Sequence, residues 1–262
     1  MDKINPNTLL QELTDRNRLF HHYSKRCDEI DSDYEEKLAW FHDYALNAFA
    51  KYLRPRNHSD KVLDIGCSRG YLLSVLYAWG FKNLTGIDLS PNDISHAKVL
   101  APEISFEKDD AFEYLAKHQN TFDIIISKAV LEHIEKKRVF EFIEKCYEAL
   151  KPKGLLILDV PNMDWLFASH ERYMDFTHEV GFTIISLKQI MGEVFSKVET
   201  HPIDFYTFQD KKVPFYKKAK RNLTRIFARK LLNTLFEWAD PQGCSTCNPI
   251  WQRSILGVGY KL

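Results

Sequence analysis

The sequence predicts an α/β fold, an open and mostly parallel seven-stranded sheet with helices on both faces. Three observations carry that expectation. Short β-branched runs alternate with helical patterns from Lys61 to about Val160, at spacings that suit right-handed βαβ crossovers. The run Phe122–Ser127 is nearly continuous in β-branched residues, as a strand buried on both faces requires. The first run, Val62-Leu63-Asp64-Ile65, passes directly through a glycine turn into an apolar helical pattern at Tyr71, Leu72, Val75 and Leu76.

Element by element, residues 1–58 read as an N-terminal helical extension and lid, and residues 59–262 as the main domain. In the extension, Leu38, Phe41, Ala45, Phe49 and Tyr52 recur every three to four residues, which predicts a helix over about Tyr34 to Leu53. Pro55–His58 ends it, and the earlier string Phe20-His21-His22-Tyr23-Ser24 is expected to line the lid. Strand two is Leu84–Ile87, strand three Ile104–Glu107 and strand four Phe122–Ser127. A Leu150–Gly154 turn then leads into strand five, Leu155–Val160. Beyond it come a long polar and aromatic connection (161–185), a helix near Ile185–Phe195 and strand six at Ser196–Pro202. A helical insertion (203–251) separates strand six from a closing strand, Ser254–Tyr260.

Composition narrows the class. With 262 residues, 45% of them hydrophobic, the chain can bury a substantial core. Lys plus Arg equals Asp plus Glu at 36 each, so net charge implies no nucleic-acid partner. No apolar run reaches membrane-spanning length, and Met1–Pro6 lacks a signal-peptide core. The five cysteines lack a disulfide-framework spacing. A soluble, cytoplasmic protein is the expectation. Cys244-Ser245-Thr246-Cys247 has metal-ligand spacing, but no second pair accompanies it, so it is read as two incidental thiols.

The turn after strand one carries the chemistry. Asp64-Ile65-Gly66-Cys67-Ser68-Arg69-Gly70 lets backbone approach a nucleotide where a side chain would collide. Asp88, at the end of strand two, offers a carboxylate to both hydroxyls of a ribose. The dinucleotide pattern G-x-G-x-x-G fails, because Ser68 and Tyr71 stand at its second and third glycines, and no Gly-Lys-Ser/Thr makes a phosphate loop. What remains resembles the D-x-G-x-G-x-G motif of class I S-adenosylmethionine-dependent methyltransferases, with Ser68 at the middle glycine. Further segments resemble that family in order: Asp109-Asp110-Ala111-Phe112 after strand three, Lys128–Ile134 after strand four, and Lys151-Pro152-Lys153-Gly154 before strand five. The resemblance implies a Rossmann-like fold with S-adenosyl-L-methionine as cofactor. Asp64, Gly66, Gly70, Asp88, Leu89, Asp110, Ala111 and Ser127 are its implied cofactor-binding residues, Asp110 holding the adenine amino group.

In open α/β sheets ligands gather at the carboxyl ends of the strands. Lys128, Glu132 and His133 follow strand four. Arg172-Tyr173-Met174-Asp175-Phe176-Thr177-His178-Glu179 follows strand five, and resembles a segment of methyltransferases encoded with bacterial surface-polysaccharide (capsule and lipopolysaccharide) genes. A hydroxyl acceptor must lose a proton as its bond to methyl forms, and histidine is the base tuned near neutral pH. His178 is the first candidate base and His133 the second, with Glu132 and Asp175 as catalytic neighbours. A local pairing of His178 with Asp175 or Glu179 is the structural alternative. Glu132-His133 is also similar to the Glu-x-x-Glu-His metal segment of quinone-biosynthesis O-methyltransferases. Ala129 replaces the first glutamate there, so no metal is expected.

Residues 211–230 hold nine Lys or Arg and no acid, with Tyr216, Ala219, Leu223, Ile226, Phe227, Leu231 and Leu235 at helical spacing. Such a basic amphipathic helix suits a phosphate-bearing acceptor or peripheral contact with an anionic membrane surface through 211–236, or is a solvated face. The leading expectation is O-methylation of a small-molecule or glycan-precursor hydroxyl. Methylation of a phosphoryl or phosphoramidate decoration, or cofactor binding without catalysis, are the alternatives. Nucleic-acid methylation is disfavoured, since Ser-Lys-Ala-Val stands where amino-methylating enzymes carry Asn/Asp-Pro-Pro-aromatic.

Overall fold

A computed structural model describes residues 34–203 and 252–262, with residues 223, 224, 226–228, 230, 231 and 234 between them. The strands are β1 (Lys61–Ile65), β2 (Asn83–Asp88), β3 (Ser105–Lys108), β4 (Phe122–Lys128), β5 (Leu150–Pro161), β6 (Lys197–Ile203) and β7 (Ser254–Tyr260). They form one seven-stranded sheet in the order β3-β2-β1-β4-β5-β7-β6. All neighbours are parallel except β7, which runs antiparallel to β5 and β6. The strand order reverses between β1 and β4, and that switch point opens a crevice at the carboxyl ends of the strands.

The two-residue period of the strands feeds two cores. Val62, Ile124, Ile126, Leu155 and Ile157 point to one face of the sheet. There they meet Phe49, Leu72, Leu76, Ile94 and Ala97. These belong to or border α1 (Tyr34–Ala48), α2 (Ala50–Leu53), α3 (Tyr71–Ala78) and α4 (Pro91–Leu100). Leu63, Ile125, Leu156 and Leu158 point the other way, onto Leu115, Phe142, Ile143, Leu187 and Met191. Those residues lie on α5 (Ala111–Lys117), α6 (Val139–Ala149) and α8 (Ile184–Gly192), while α7 (Ala168–Tyr173) lies in the connection after β5. Each fully buried aliphatic side chain contributes roughly 1.5–3 kcal/mol of burial free energy.

Several boundaries differ from the expectation. The single N-terminal helix is two, α1 and α2, meeting at Phe49, which sits fully in the core with φ −114°. The Leu150–Gly154 turn is drawn into β5: Leu150 pairs with Phe122 across a register shift, and Lys153 N donates to Lys261 O while Lys261 N donates to Gly154 O. Edge-to-edge hydrogen bonds with the last residues of the chain thus extend the strand backwards. Strand six runs one residue later than expected. Helix α8 is started by a capping box the sequence reading passed over, in which Thr183 Oγ1 accepts from Ser186 N and Ser186 Oγ accepts from Thr183 N.

The lid string Phe20–Ser24 and most of the insertion lie outside the described residues, as do Cys244 and Cys247. In the described part of 223–234 the backbone is helical, and Leu223, Ile226, Phe227 and Leu231 are 50–70% exposed. The apolar stripe at those positions is therefore not packed on the domain core. Among the described residues, no helix is long and apolar enough to cross a membrane.

Candidate functional site

The carboxyl ends of β1, β2 and β3 form one half of the crevice. After β1 the chain turns through Gly66 (φ 75°), Ser68 (φ 47°) and Gly70 (φ 77°), all left-handed. A Cβ on Gly66 would stand 2.3 Å from Val130 Cγ2, so glycine is needed there for space as well as for backbone. Ser68 holds the middle glycine's conformation at the strain an L-residue carries. The turn is fastened by Gly66 N and Cys67 N, both donating to Ile87 O, and by Ser68 N donating to Asp88 Oδ2 at 2.9 Å. Arg69 Nε pairs with Asp93 Oδ1 at 3.1 Å, both side chains buried, which ties the turn to the start of α4.

Asp88 is gripped on both oxygens, since Ser90 N donates to Oδ1 at 2.8 Å. Each oxygen keeps lone-pair capacity for a further donor. Burial raises its pKa against the pull of these amides. Asp64 is 2% exposed, and burial, then the nearby Asp88 charge, push its carboxyl up to about 8 against the Lys128 charge. Ser127, level with Ile65 across the β1–β4 ladder, is buried with its Oγ lacking a hydrogen-bond partner. Asp110, the residue the resemblance assigns to the adenine, caps α5 with its Oδ1, which accepts from Phe112 N and Glu113 N. Ala111 begins that helix, and Leu89 is 51% exposed beyond β2.

The other half follows β4 and β5 and encloses a cavity of about 310 Å³ lined by Lys128, Glu132, His133, Asp159, Glu171, Asp175, His178 and Arg253 among others. The register Lys128↔Asp159 sets two of its lining residues side by side. Asp159 is buried, accepts a hydrogen bond from Tyr44 Oη of α1, and lies 3.9 Å from Lys128 Nζ. Burial raises its pKa, offset by Lys128 and Tyr44. Glu132 is 2% exposed with Oε2 unpartnered, and burial pushes it up to about 8. Its backbone oxygen accepts from Glu179 N and Val180 N at 2.7 and 3.2 Å, which fixes the segment after β5 onto the segment after β4.

His133 and His178 meet across that seam with ring centroids 4.7 Å apart. Asp175 partners neither ring directly, so the alternative of a local pairing with His178 does not form. Its Oδ1 accepts from Thr177 N and from Thr177 Oγ1, at 2.9 and 2.7 Å. Thr177 Oγ1, its proton committed to Asp175, accepts from His133 Nδ1 at 2.8 Å. His178 Nδ1 donates to the Glu171 carbonyl at 2.8 Å instead of meeting Asp175 or Glu179. Burial raises the Asp175 pKa, but the Thr177 amide and hydroxyl and the two histidines outweigh it, leaving the carboxyl below its ordinary value. Arg172 donates to the carbonyls of His178 and Glu179, and Arg253, just before β7, sits 2.6 Å from Glu171 Oε1. Glu132, His133 and His178 each offer a ligand atom, and the three atoms lie within 4.8 Å of one another.

The structure thus brings all four expected catalytic residues into one cavity. Sequence reasoning missed Tyr44, Asp159, Glu171, Thr177 and Arg253. Asp159, an acid inside an otherwise apolar strand, and Thr177, inside the Arg172–Glu179 segment, left readable signals; the other three left none.

A family profile described as a methyltransferase domain matches residues 33–196. A tRNA U34 carboxymethyltransferase of Helicobacter pylori (strain HPAG1) is 34% identical over 62% of this chain and 61% of its own length. A ubiquinone biosynthesis O-methyltransferase of Bradyrhizobium diazoefficiens is 30% identical over 49% of this chain and 51% of its own. The chain therefore spans between half and two thirds of the length of these relatives. Among solved structures, a SAM-dependent methyltransferase from Archaeoglobus fulgidus superposes with a TM-score of 0.61 at 20% identity, over 92% of this chain and 100% of that one. Phosphoethanolamine N-methyltransferase 2 of Haemonchus contortus gives a TM-score of 0.59 at 19% identity, over 84% of this chain and 52% of that one. The profile covers more than half of the sequence, and with the sheet order and the glycine turn it means that this chain belongs to the methyltransferase-domain family, with the Rossmann-like fold of the class I S-adenosylmethionine-dependent enzymes.

Proposed function

We propose that this chain transfers a methyl group to an oxygen atom of a polar acceptor, a sugar or glycan-precursor hydroxyl of bacterial surface-polysaccharide biosynthesis. One observation carries the choice of a hydroxyl: the Nδ1 hydrogens of both His133 and His178 are committed, to Thr177 Oγ1 and to the Glu171 carbonyl, at 2.8 Å each. Each ring then carries its lone pair on Nε2, the state a proton acceptor needs. A cavity lined by Lys128, Glu132, Asp159 and Glu171 favours a hydroxyl-rich acceptor over an apolar one. The glycan class rests on the resemblance read in the sequence of residues 172–179 alone. The relatives named for tRNA and ubiquinone add nothing to it.

S-adenosylmethionine, when bound, supplies a methyl group on a sulfonium that departs as a neutral thioether. The chain's residues fit that ligand. Gly66 and Gly70 keep side chains out of the turn, and Asp88 has lone pairs left for ribose hydroxyls. Asp64, a buried acid, is offset by a positively charged ligand, and Ser127 Oγ has unused hydrogen-bonding capacity. On the acceptor side, His178 Nε2 would take the proton that the acceptor hydroxyl loses on methylation. His133, held by the Thr177–Asp175 chain, is the second proton acceptor. Much of the remaining rate enhancement comes from alignment and exclusion of water.

A phosphoryl or phosphoramidate oxygen is the second reading, favoured by the nine Lys and Arg of 211–230, which a sulfonium cofactor gives nothing to neutralise. The exposed apolar residues Leu223, Ile226, Phe227 and Leu231 support peripheral contact of this segment with an anionic membrane surface, where lipid-linked glycan precursors reside. The test is a methyl-transfer assay with methyl-labelled cofactor against nucleotide-sugars, phosphorylated glycans and bulk tRNA. Label on a sugar oxygen is expected. Label on phosphoryl oxygen alone would move the assignment to the second reading, and label on tRNA alone would overturn both.

A further inference from the structure

The Glu132, His133 and His178 cluster does more than supply a base. Its three ligand atoms fall within 4.8 Å of one another. Both imidazoles are oriented from behind, His178 by the Glu171 carbonyl and His133 by a Thr177 hydroxyl itself bound to Asp175. Backing of Nδ1–H by a carbonyl or a carboxylate is how metal-binding imidazoles are held, because it fixes the tautomer and aims the opposite lone pair. Glu132 contributes an independent sign: its side chain is 98% buried by the 2% exposure of the residue, and Oε2 has no hydrogen-bond partner. A buried carboxyl oxygen left so is costly unless a cation or donor meets it. The bonds from Glu179 N and Val180 N to Glu132 O hold the two ligand-bearing segments together, so the cluster is built into the fold.

We propose that Glu132, His133 and His178 bind one first-row divalent cation, with coordination positions left open to the acceptor. Three protein ligands with open positions are the pattern of a catalytic site rather than a structural one. Two imidazoles favour Zn²⁺, Co²⁺, Fe²⁺ or Mn²⁺ over Mg²⁺, which prefers oxygen ligands alone. The set differs from the Glu-x-x-Glu-His arrangement that Ala129 interrupts, because His178, from the segment after β5, completes it. The proposal rests on the oxygen-acceptor reading: with His133 and His178 as its ligands, the cation makes the acceptor hydroxyl acidic enough to lose its proton to water, whereas in the cation-free protein the imidazole takes that proton.

The full chain, dialysed against EDTA, is titrated with Co²⁺ and separately with Mg²⁺, by calorimetry and visible absorption. One equivalent of Co²⁺ should bind with d–d bands and no thiolate charge-transfer band, and more tightly than Mg²⁺. His178→Ala and Glu132→Gln should each weaken it by about 100-fold or more, since even outer-shell changes at metal sites cost 10–100-fold. Retained S-adenosylmethionine binding reports that the variants are folded. Pulsed electron paramagnetic resonance of wild-type chain with Mn²⁺ should show coupling to imidazole nitrogen, a readout that needs no variant. Sub-stoichiometric binding, a thiolate band, unchanged affinity in both variants, or absent nitrogen coupling would each overturn the site. Methyl transfer that depends on His178 yet survives EDTA removes the cation and leaves the oxygen-acceptor reading. Cation binding with no oxygen methylated does the reverse.

Discussion

The two halves of the crevice are built in different ways. At the ends of β1–β3 the functional groups come from short, contiguous stretches: 64–70, 88–90 and 109–111. Each backbone turn is closed by a neighbour a few residues away or one strand over, such as Ser68 N to Asp88 and Ser90 N to Asp88. At the ends of β4 and β5 the groups come from far apart. Tyr44 and Asp159 are 115 residues apart, His133 and Thr177 44 apart, and Arg253 returns from beyond the insertion to Glu171. A half fastened locally can hold one invariant ligand while the other changes. The comparison therefore teaches that cofactor and acceptor functions are separable here, and substitutions should show it.

The largest effect is expected in the acceptor half. Replacing His178 with alanine should lower turnover on a hydroxyl acceptor by roughly 10²–10⁴-fold, the usual range for a lost proton-transfer group, at unchanged cofactor affinity. If Asp175→Asn leaves turnover as it was, Thr177 alone suffices to orient His133 and the carboxylate is incidental.

Next in size is Asp88, the residue expected to accept the ribose hydroxyls. Asp88→Ala should weaken cofactor binding by about 1.5–3 kcal/mol, the range for hydrogen bonds to charged groups. Equilibrium dialysis with labelled cofactor measures it, and a weakening confined to acceptor KM would erase the division between the halves.

A smaller effect is a proton. Asp64 is raised to about 8, so its carboxyl is protonated at pH 7 in the ligand-free chain. A cationic ligand lowers that pKa, so binding should release up to about one proton, seen as a binding heat that changes with the ionisation enthalpy of the buffer. The sign for folding follows. Unfolded Asp titrates near 3.9, so between about pH 4 and 8 the folded chain holds the extra proton, and stability falls as pH rises through that window. Asp64→Asn should reduce the buffer dependence and the fall in stability across that window, the remainder belonging to Glu132, which is also pushed up to about 8.

Smallest is the backbone strain at Ser68 (φ 47°). Ser68→Gly should stabilise the fold in urea unfolding by about 0.5–1 kcal/mol, the left-handed penalty less the extra unfolded-state entropy of glycine. A destabilised variant would mean that the hydroxyl has a structural role of its own.

The same contrast explains what was legible in the sequence. The strands declare themselves by short apolar or alternating runs, and β7 has the bounds that its composition suggests, Ser254–Tyr260. The glycine turn, Asp64 and Asp88 are read from adjacent letters because their geometry is local. The alternative role for His178, a local pairing with Asp175 or Glu179, followed the same logic and is not what forms, because Asp175 Oδ1 is taken by the amide and hydroxyl of Thr177, which in turn meets His133. Proximity in sequence does not reveal which side a short turn presents. Tyr44, Glu171 and Arg253 were invisible for a different reason: each gains its partner only when the sheet has brought distant segments together. Leu150–Gly154 shows the same limit for secondary structure, since Lys-Pro-Lys-Gly composes a turn and only Lys261 across the edge extends it into strand.

The separation of the two halves is tested most directly by one calorimetric series, S-adenosylmethionine titrated into the wild-type chain, Asp88→Ala and His178→Ala. Wild type and His178→Ala should bind with the same affinity, and Asp88→Ala about 10–100-fold more weakly, the equivalent of its lost hydrogen bonds. Equal weakening in both variants, or a wild-type chain that ignores S-adenosylmethionine and binds NAD instead, would contradict it.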